Sequence, residues 1–446
     1  MNSVQAQYQP KGSTSRALAD HVEAAIDEGT IEAGFRLPAI RDVAAAEKTS
    51  PATVAAAYKQ LRERGLVVTR GRGGTIVAER ARPPVAMYTP APAGTVDLRN
   101  GNPAPELIPD LAPFLPALAE APPMPRRADD RNDPELLELA AARFERDGIP
   151  SADLAVVGGA MDGTERALAA HTTRGQFIAV EDPTFPAFPD LAAVLQLTPR
   201  AVDIDAEGMR PESLAAALRA GVNAVILNPR GQNPTGACLT PARAADLIAL
   251  LAEHPEVLVL EDDHMADLVE ADSVSVAADP AIERWAVIRS ASKGLGPDLR
   301  LAVIAGDPIT VSRLQARQVI GTGWVSTLLQ RLVAALWKAP EVATLHAEAT
   351  AVYTRRRKHL LEALAASGIE AIGWSGFNIW VPVGREQPVV ERLLADGWAV
   401  SPGDMFRLES PPGIRVTTAR LEPEDAEAFA RDLAAALAGR SGRGAY

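Results

Sequence analysis

The chain has 446 residues, 47% of them hydrophobic, which suits two or three domains around a large buried core. No apolar run is long enough to span a bilayer, and the first residues lack the apolar stretch of a secretory signal. A single cysteine, Cys238, excludes an internal disulfide framework. A cytoplasmic protein with no membrane contact and no metal is expected.

The formal net charge is −12, unevenly placed. Residues 1–80 carry 11 basic and 9 acidic side chains, so they hold +2 and the remainder −14. From Arg36 to Arg72 there are 8 basic and 3 acidic residues. A basic stretch on an acidic protein points to local affinity for phosphate.

Leu18, Val22, Ala25 and Ile26 recur at helical spacing between Ser13 and Glu28. A tight connection, Gly34 to Pro38, leads to a second helix with Ile40, Val43 and Ala44 on one face, Pro38 fitting its first turn. Ser50 then reads as an N-cap and Pro51 as the first residue of a third helix, from which Val54, Tyr58 and Leu61 face inward. Residues 66–69 and 75–77 flank a Gly-rich turn and read as a hairpin. Three helices and a hairpin make a winged helix-turn-helix. Its third helix would present Ser50, Ala52 and Thr53 to base edges. Arg41, Lys59, Arg70 and Arg72 would neutralise phosphates or probe the minor groove from the wing. The stretch Gly34-x-x-Leu37-Pro38-Ala39-x-Arg41, then Thr53-Val54-x-x-Ala57-Tyr58-x-x-Leu61 and Gly73-Gly74-Thr75, resembles the GntR family of bacterial regulators. That resemblance implies a double-stranded DNA operator as partner.

Residues 81–94 hold several prolines and no periodicity, and read as a linker between a domain over 1–80 and one over 95–446. Beyond it, strand-like runs at 154–157, 177–180, 224–227, 257–260, 286–288 and 301–305 alternate with helical runs. This is an α/β pattern, a mostly parallel sheet flanked by helices, with ligands expected beyond the strand carboxyl ends. From about Val342 the pattern changes to a small α+β lobe.

Only six lysines occur, and Lys293 is the one set among small residues between two strands. A desolvated lysine is a nucleophile suited to Schiff-base chemistry. Other informative residues fall at strand ends. Gly158 to Thr164 is a glycine turn opening a helix, whose Met161 and Asp162 amides could cradle a phosphate. Phe185 could stack on a ring. Acidic residues at 261–263 need a cationic partner, which a protonated pyridine nitrogen provides. Arg300, with Ser290 and Ser292, could pair with a phosphate.

The order of the glycine turn, Asp182-Pro183-Thr184-Phe185, Asn233-Pro234-Thr235-Gly236, Glu261-Asp262-Asp263 and Ser290-x-Ser292-Lys293-x-x-x-Pro297-x-Leu299-Arg300 resembles the fold-type I aminotransferases, which hold pyridoxal 5′-phosphate. The resemblance implies that Lys293 holds the cofactor covalently and that Asp262 binds the pyridine nitrogen. Asp263 is the alternative, because the doubled Asp leaves the register open. By the same resemblance Asn233 bonds the ring hydroxyl, Phe185 stacks on the ring, and Met161, Asp162, Ser290, Ser292 and Arg300 hold the phosphate. Arg415 matches an arginine that clamps a substrate carboxylate. His264 stands where the family usually has a tyrosine.

A GntR-type reader ahead of such a domain resembles the MocR subfamily of bacterial regulators, vitamin B6 regulators among them. That implies a homodimer, with the reader of one chain able to lie over the large domain of the other. It implies a transcription factor that senses either pyridoxal phosphate itself or an amino compound by aldimine exchange. The rival readings are an aminotransferase acting on an amino acid, and a B6-binding protein with a degenerate DNA domain.

Overall fold

A computed structural model describes residues 8–27, 30–31, 34–63, 66–69, 74–77, 91–120 and 131–438. The chain forms two compact units.

In the N-terminal unit, helices α1 (Ser15–Asp27), α2 (Ile40–Ala46) and α3 (Pro51–Glu63) precede strands β1 (Val67–Thr69) and β2 (Thr75–Val77). The two strands pair antiparallel, and Arg36 bridges to Ile76 as a third short rung. Leu18, Val22, Val43, Val54, Tyr58 and Leu61 fill the core, as their spacing requires. Tyr58 is fixed further by donating its hydroxyl to Pro38 O at 2.8 Å, which ties α3 to the entry of α2. Ser50 Oγ accepts from Thr53 N at 3.0 Å and so caps α3, with Pro51 at its first position. Pro38 lies outside α2, whose cap is Ala39. The expected first-turn proline instead stiffens the extended approach, where Leu37 N donates to Thr75 O. Gly74 has φ +80°, and a Cβ there would stand 2.9 Å from Arg36 Nε, so this corner of the wing admits only glycine without a shift. The linker expected over 81–94 falls largely outside the described residues, as do Arg70 and Arg72.

The large unit opens with β3 (Val96–Asp97) and is built on an eight-stranded sheet. Its strands are β4 (Leu154–Val157), β5 (Phe177–Asp182), β6 (Thr198–Asp205), β7 (Gly208–Met209), β8 (Val222–Leu227), β9 (Leu258–Asp262), β10 (Trp285–Ser290) and β11 (Ala302–Gly306). They stand in the order β4-β11-β10-β9-β8-β5-β6-β7. β5, β8, β9 and β10 are parallel. β11 runs against both β10 and β4, so β4 shares the direction of the parallel set. β9 and β10 are buried at every position, as expected of strands covered on both faces.

A smaller lobe carries β12 (Asn378–Pro382), β13 (Trp398–Ala399), β14 (Ser401–Pro402) and β15 (Gly413–Thr417), with helices Pro340–Ala366, Glu386–Ala395 and Pro423–Ala438. β12, β15 and β14 form an antiparallel sheet, while β13 pairs in parallel with β3. Leu98 therefore packs in the core of this lobe although it begins the domain in sequence. Of the run Arg355-Arg356-Arg357, only Arg355 is exposed. Arg356 is buried against Ala419 O and Glu422, and Arg357 against Gly376 O.

Candidate functional site

Because β4, β5, β8, β9 and β10 share one direction, their carboxyl ends lie along one edge of the sheet. Gly158, Pro183, Asn228, Asp263 and Ala291 follow those ends. The residues singled out at strand ends are brought together there by topology.

The acidic pair divides its work. Asp263 is fully engaged: Arg230 reaches its two oxygens through Nε and Nη2, each at 2.8 Å, and Arg289 Nε adds a bond at 2.9 Å. Both arginines also reach Asp147 Oδ2, at 3.2 and 2.5 Å, closing a buried cluster of two cations and two anions. Burial alone would raise the Asp263 carboxyl, but bonds and charge from Arg230 and Arg289 hold it below the ordinary range. Asp262 faces elsewhere. It is buried, its Oδ2 lies 3.4 Å from His264 Nδ1, and its Oδ1 has no hydrogen-bond partner. Asn228 Nδ2 donates to Asp262 O at 2.8 Å and lies 3.3 Å from His264 Nδ1, so imidazole, amide and carboxylate form one group. Two further carboxyls are buried nearby. Glu181 is pushed up to about 8 by burial, against the Asn228 amide and Gln232, with Asp262 adding to the rise. Glu261, pushed up to about 7 by burial, is held by Ser275 Oγ and the Val276 and Ala277 amides.

Lys293 lies in the short helix Ser292–Leu295 that follows β10. Its Nζ donates to Gly101 O at 2.5 Å and lies 3.4 Å from Asn102 Oδ1. Burial lowers the amine to about 8; the positive charges of Arg415 and Arg300 push the same way, against Asp262. An amine so placed is partly neutral at neutral pH and able to add to a carbonyl.

A cradle lies beside it. Gly159, with φ +110°, caps the helix Ala160–His171, and a Cβ there would stand 2.8 Å from Arg300 Nη2. Gly163 N makes an intrahelical bond to Gly159 O, so the amides of Met161 and Asp162 lie ahead of it at the open N-terminus. The Asp162 side chain turns back, accepting from Gly158 N at 2.8 Å and Arg166 Nε at 2.9 Å. Ser290 Oγ and Ser292 Oγ are buried and 2.8 Å apart. Glycine turn, helix amides, hydroxyls and an exposed arginine are the kinds of donor that a bound dianion requires.

Arg415, on β15, is buried. It donates to Asn233 Oδ1 at 3.1 Å and to Arg99 O, and stacks 4.6 Å from the Phe406 ring. Phe185 is half-buried and packs edge-on against Phe188 at 5.8 Å. Asp182 accepts four bonds, from the amides of residues 408–410 and from Ser410 Oγ, and so anchors a loop rather than facing a ligand. Sequence reasoning missed Gly101, Asn102 and Asn228, which touch Lys293 or Asp262. The Asn228-Pro229 strand end was the available signal for Asn228; nothing local marked the other two.

On the N-terminal unit Arg41, Ser50, Ala52 and Lys59 are exposed and Thr53 half-exposed. No helix among the described residues is long and apolar enough to cross a membrane, and no group of metal-ligating side chains occurs among them.

A winged DNA reader joined to a fold-type I domain, with a half-buried lysine and a buried carboxylate at the strand ends, defines a class of regulators built on an aminotransferase scaffold. Residues 14–77 match the gntR family of bacterial regulatory proteins, and residues 101–433 match the aminotransferase class I and II family. The chain belongs to the GntR-type regulators that carry an aminotransferase domain, the MocR subfamily. It is similar to the vitamin B6 salvage pathway transcriptional repressor PtsJ of Salmonella typhimurium, 38% identical over 96% of this chain and 99% of that one. It is also similar to the HTH-type transcriptional regulator TauR of Rhodobacter capsulatus, at 27% identity over 89% and 90% of the two chains. Among solved structures, Pyrococcus horikoshii kynurenine aminotransferase matches with a TM-score of 0.72 at 20% identity, over 78% of this chain and 92% of that one. Thermus thermophilus aspartate aminotransferase matches with a TM-score of 0.66 at 22% identity, over 86% and 96%. These two share the fold.

Proposed function

We propose that this chain is a cytoplasmic, homodimeric transcriptional regulator that holds pyridoxal 5′-phosphate on Lys293 and reports its presence to an operator through the N-terminal reader. The observation that carries the cofactor is Asp262 Oδ1, a buried carboxylate oxygen with no partner, whose charge acts on a buried amine. A lone buried carboxylate is costly unless a cation completes it, and a pyridinium N–H does so. Asn233 would meet the ring hydroxyl with His264 beside it, Phe185 the ring face, and Arg300, Ser290, Ser292 and the Met161 and Asp162 amides the phosphate. The dense bonding of Asp263 supports Asp262 as the pyridine partner. When bound, the cofactor supplies an aldehyde carbon that amines exchange onto and a ring that withdraws electrons.

His264 and Asn228 hold Asp262 in place, and Arg230 with Arg289 keeps the second acid out of the site. Arg41, Ser50, Ala52, Thr53 and Lys59 would make the base and phosphate contacts of the reader, which their exposure supports. Arg70 and Arg72, outside the described residues, belong to the same proposed surface. The vitamin B6 relative favours the cofactor itself as the signal. An amino-compound effector is the second reading, and Arg415 supports it as a buried guanidinium, stacked on Phe406, whose planar fork would suit a carboxylate.

The test is the near-ultraviolet and visible absorbance of the purified protein with added pyridoxal phosphate, beside gel shifts on DNA flanking its own gene. A band absent from Lys293→Ala and a shift that changes with cofactor are expected. No band in the wild type would remove the proposal. A band with DNA binding that answers only to an amino acid would favour the amine. Conversion of that band to the pyridoxamine form over repeated turnovers would favour an aminotransferase.

A further inference from the structure

Residues 403–412 join β14 to β15 in the smaller lobe, and Arg415 follows shortly after them on β15. The stem of this loop closes on Trp380: a Cβ on Gly403 would stand 2.6 Å from its Cη2, and one on Gly413 2.3 Å from its Cε2. Within the lobe the loop is held by Glu386, whose carboxylate accepts from Asp404 N at 2.6 Å and from Arg407 Nε at 2.7 Å. Its tip is held from outside the lobe. Asp182, the buried last residue of β5, accepts at Oδ1 from Leu408 N at 2.9 Å and Ser410 Oγ at 2.8 Å. Its Oδ2 accepts from the amides of Glu409 and Ser410, each at 2.7 Å. Thr184 N adds a bond to Phe406 O at 2.7 Å. Hydrogen bonds to an ionised acceptor are roughly twice as strong as neutral ones, so this junction is a firm latch between the main sheet and the smaller lobe. Phe406, buried at the start of the latched stretch, is the ring on which the Arg415 guanidinium stacks. The loop 183–185 has a separate anchor in the main sheet, because Gln232 Nε2 donates to Pro183 O at 2.8 Å.

We propose that Asp182 is a positioning residue for the selection of carboxylate-bearing amines. It touches no ligand. By docking the tip of the loop onto the end of β5 it holds Phe406 under Arg415, and so sets the guanidinium at a fixed place relative to Lys293. This rests on the reading that Lys293 takes pyridoxal phosphate and on the second reading of the effector as an amino compound. A planar fork selects a carboxylate only when its distance and angle to the reacting amine are fixed, since a small misplacement is costly. With Asp182 made neutral, Glu386 keeps the loop folded, but Phe406 loses its place relative to the sheet. Lys293, Asp262, Ser290, Ser292 and Arg300 all belong to the main sheet and the loops that follow its strands, so the latch bears on the carboxylate arm of the site and not on the cofactor arm.

The experiment uses the full-length protein loaded with pyridoxal phosphate and compares L-alanine with ethylamine, which is alanine without its carboxylate. Each amine bonds to the cofactor carbon that Lys293 held and returns Lys293 as a free amine, and absorbance at one fixed pH reads the exchange. The dissociation constant for pyridoxal phosphate is read beside it, as is hydrogen exchange of the amides of residues 406–410 in the cofactor-free protein. The wild type should prefer alanine. In Asp182→Asn the amides of residues 408–410 exchange faster and half-saturation by alanine needs roughly tenfold more, while ethylamine and pyridoxal phosphate stay within about twofold. Phe406→Leu loses the preference in the same way with those amides still protected. Ser410→Ala, which removes one of the four donors, moves alanine in the same direction by less, and it decides the matter if Asp182→Asn does not fold. A preference for alanine that survives loss of the latch overturns the proposal. Equal weakening of alanine, ethylamine and cofactor also overturns it, by making Asp182 a structural anchor alone. A cofactor band in the wild type that answers to neither amine, or to both alike, overturns the proposal and leaves the cofactor reading intact. No band in the wild type overturns both.

Discussion

Asp262 and Asp263 are neighbours in sequence and opposites in environment: Asp263 is saturated by Arg230 and Arg289, whereas Asp262 keeps one buried oxygen unbonded. Their substitutions should separate accordingly. Asp263→Asn leaves two buried guanidinium groups short of charge and is expected to cost about 3–5 kcal/mol of stability. Asp262→Asn should leave the denaturation midpoint nearly unchanged and weaken pyridoxal phosphate binding at least tenfold. Urea denaturation beside a cofactor titration checks both. The opposite pattern would assign the pyridine nitrogen to Asp263.

The Lys293 amine sets a pH dependence for cofactor capture. Its neutral form reacts, and burial with the charges of Arg415 and Arg300 lowers its midpoint to about 8. The rate of absorbance growth on mixing with pyridoxal phosphate should rise from pH 6 and level off above about pH 8, well below the ordinary lysine midpoint near ~10.4. A rate still climbing at ~2 units above that level would mean that the amine is not desolvated as the fold places it.

How much of this was legible beforehand follows from the range of the signals. Each parallel strand announced itself as a short apolar run, and its last residues carried the motif, so Lys293, Asn233 and the acidic pair could be placed by reading along the chain. β6 escaped because Thr198–Asp205 faces water on one side and has no apolar run. The choice between Asp262 and Asp263 depended on Arg230 and Arg289 closing over one of them, which spacing alone does not show. Gly101 and Asn102 meet Lys293 across 192 and 191 residues, a pairing set by the return of β13 to β3. The inward turn of Arg356 and Arg357 to carbonyl oxygens is equally illegible in a run of three arginines, whose composition alone suits a solvated face.

Glu181 gives a prediction whose sign is opposite to the common carboxylate case. Its folded midpoint is about 8, above the unfolded value of 4.5, because burial disfavours the charge. The folded state therefore binds more protons between those limits, and the contribution to stability is full below about pH 4.5 and lost as pH rises through 8. Glu261, with a midpoint of about 7, adds to the same trend. Glu181→Gln, which keeps an amide where the acid sat, should flatten the fall in unfolding free energy between pH 5 and 8. A wild-type stability that rises across this window and is unaltered by the substitution would show Glu181 ionised in the fold.

The reader offers a pair of substitutions that separate folding from contact. Ser50 Oγ accepts from Thr53 N at the start of α3, so Ser50→Ala should lower the stability of the N-terminal unit by about 1 kcal/mol. Its DNA binding should weaken by more than that loss, because Ser50 also belongs to the proposed base-facing surface. Arg41 is exposed on α2, and Arg41→Ala should leave stability unchanged. If Arg41 neutralises one phosphate, binding weakens alike on operator and unrelated DNA, and the slope of log affinity against log salt shrinks by about 0.9. Fluorescence anisotropy at several salt concentrations reads both quantities at once. A loss confined to the operator, with the slope unchanged, would instead place Arg41 on a base edge.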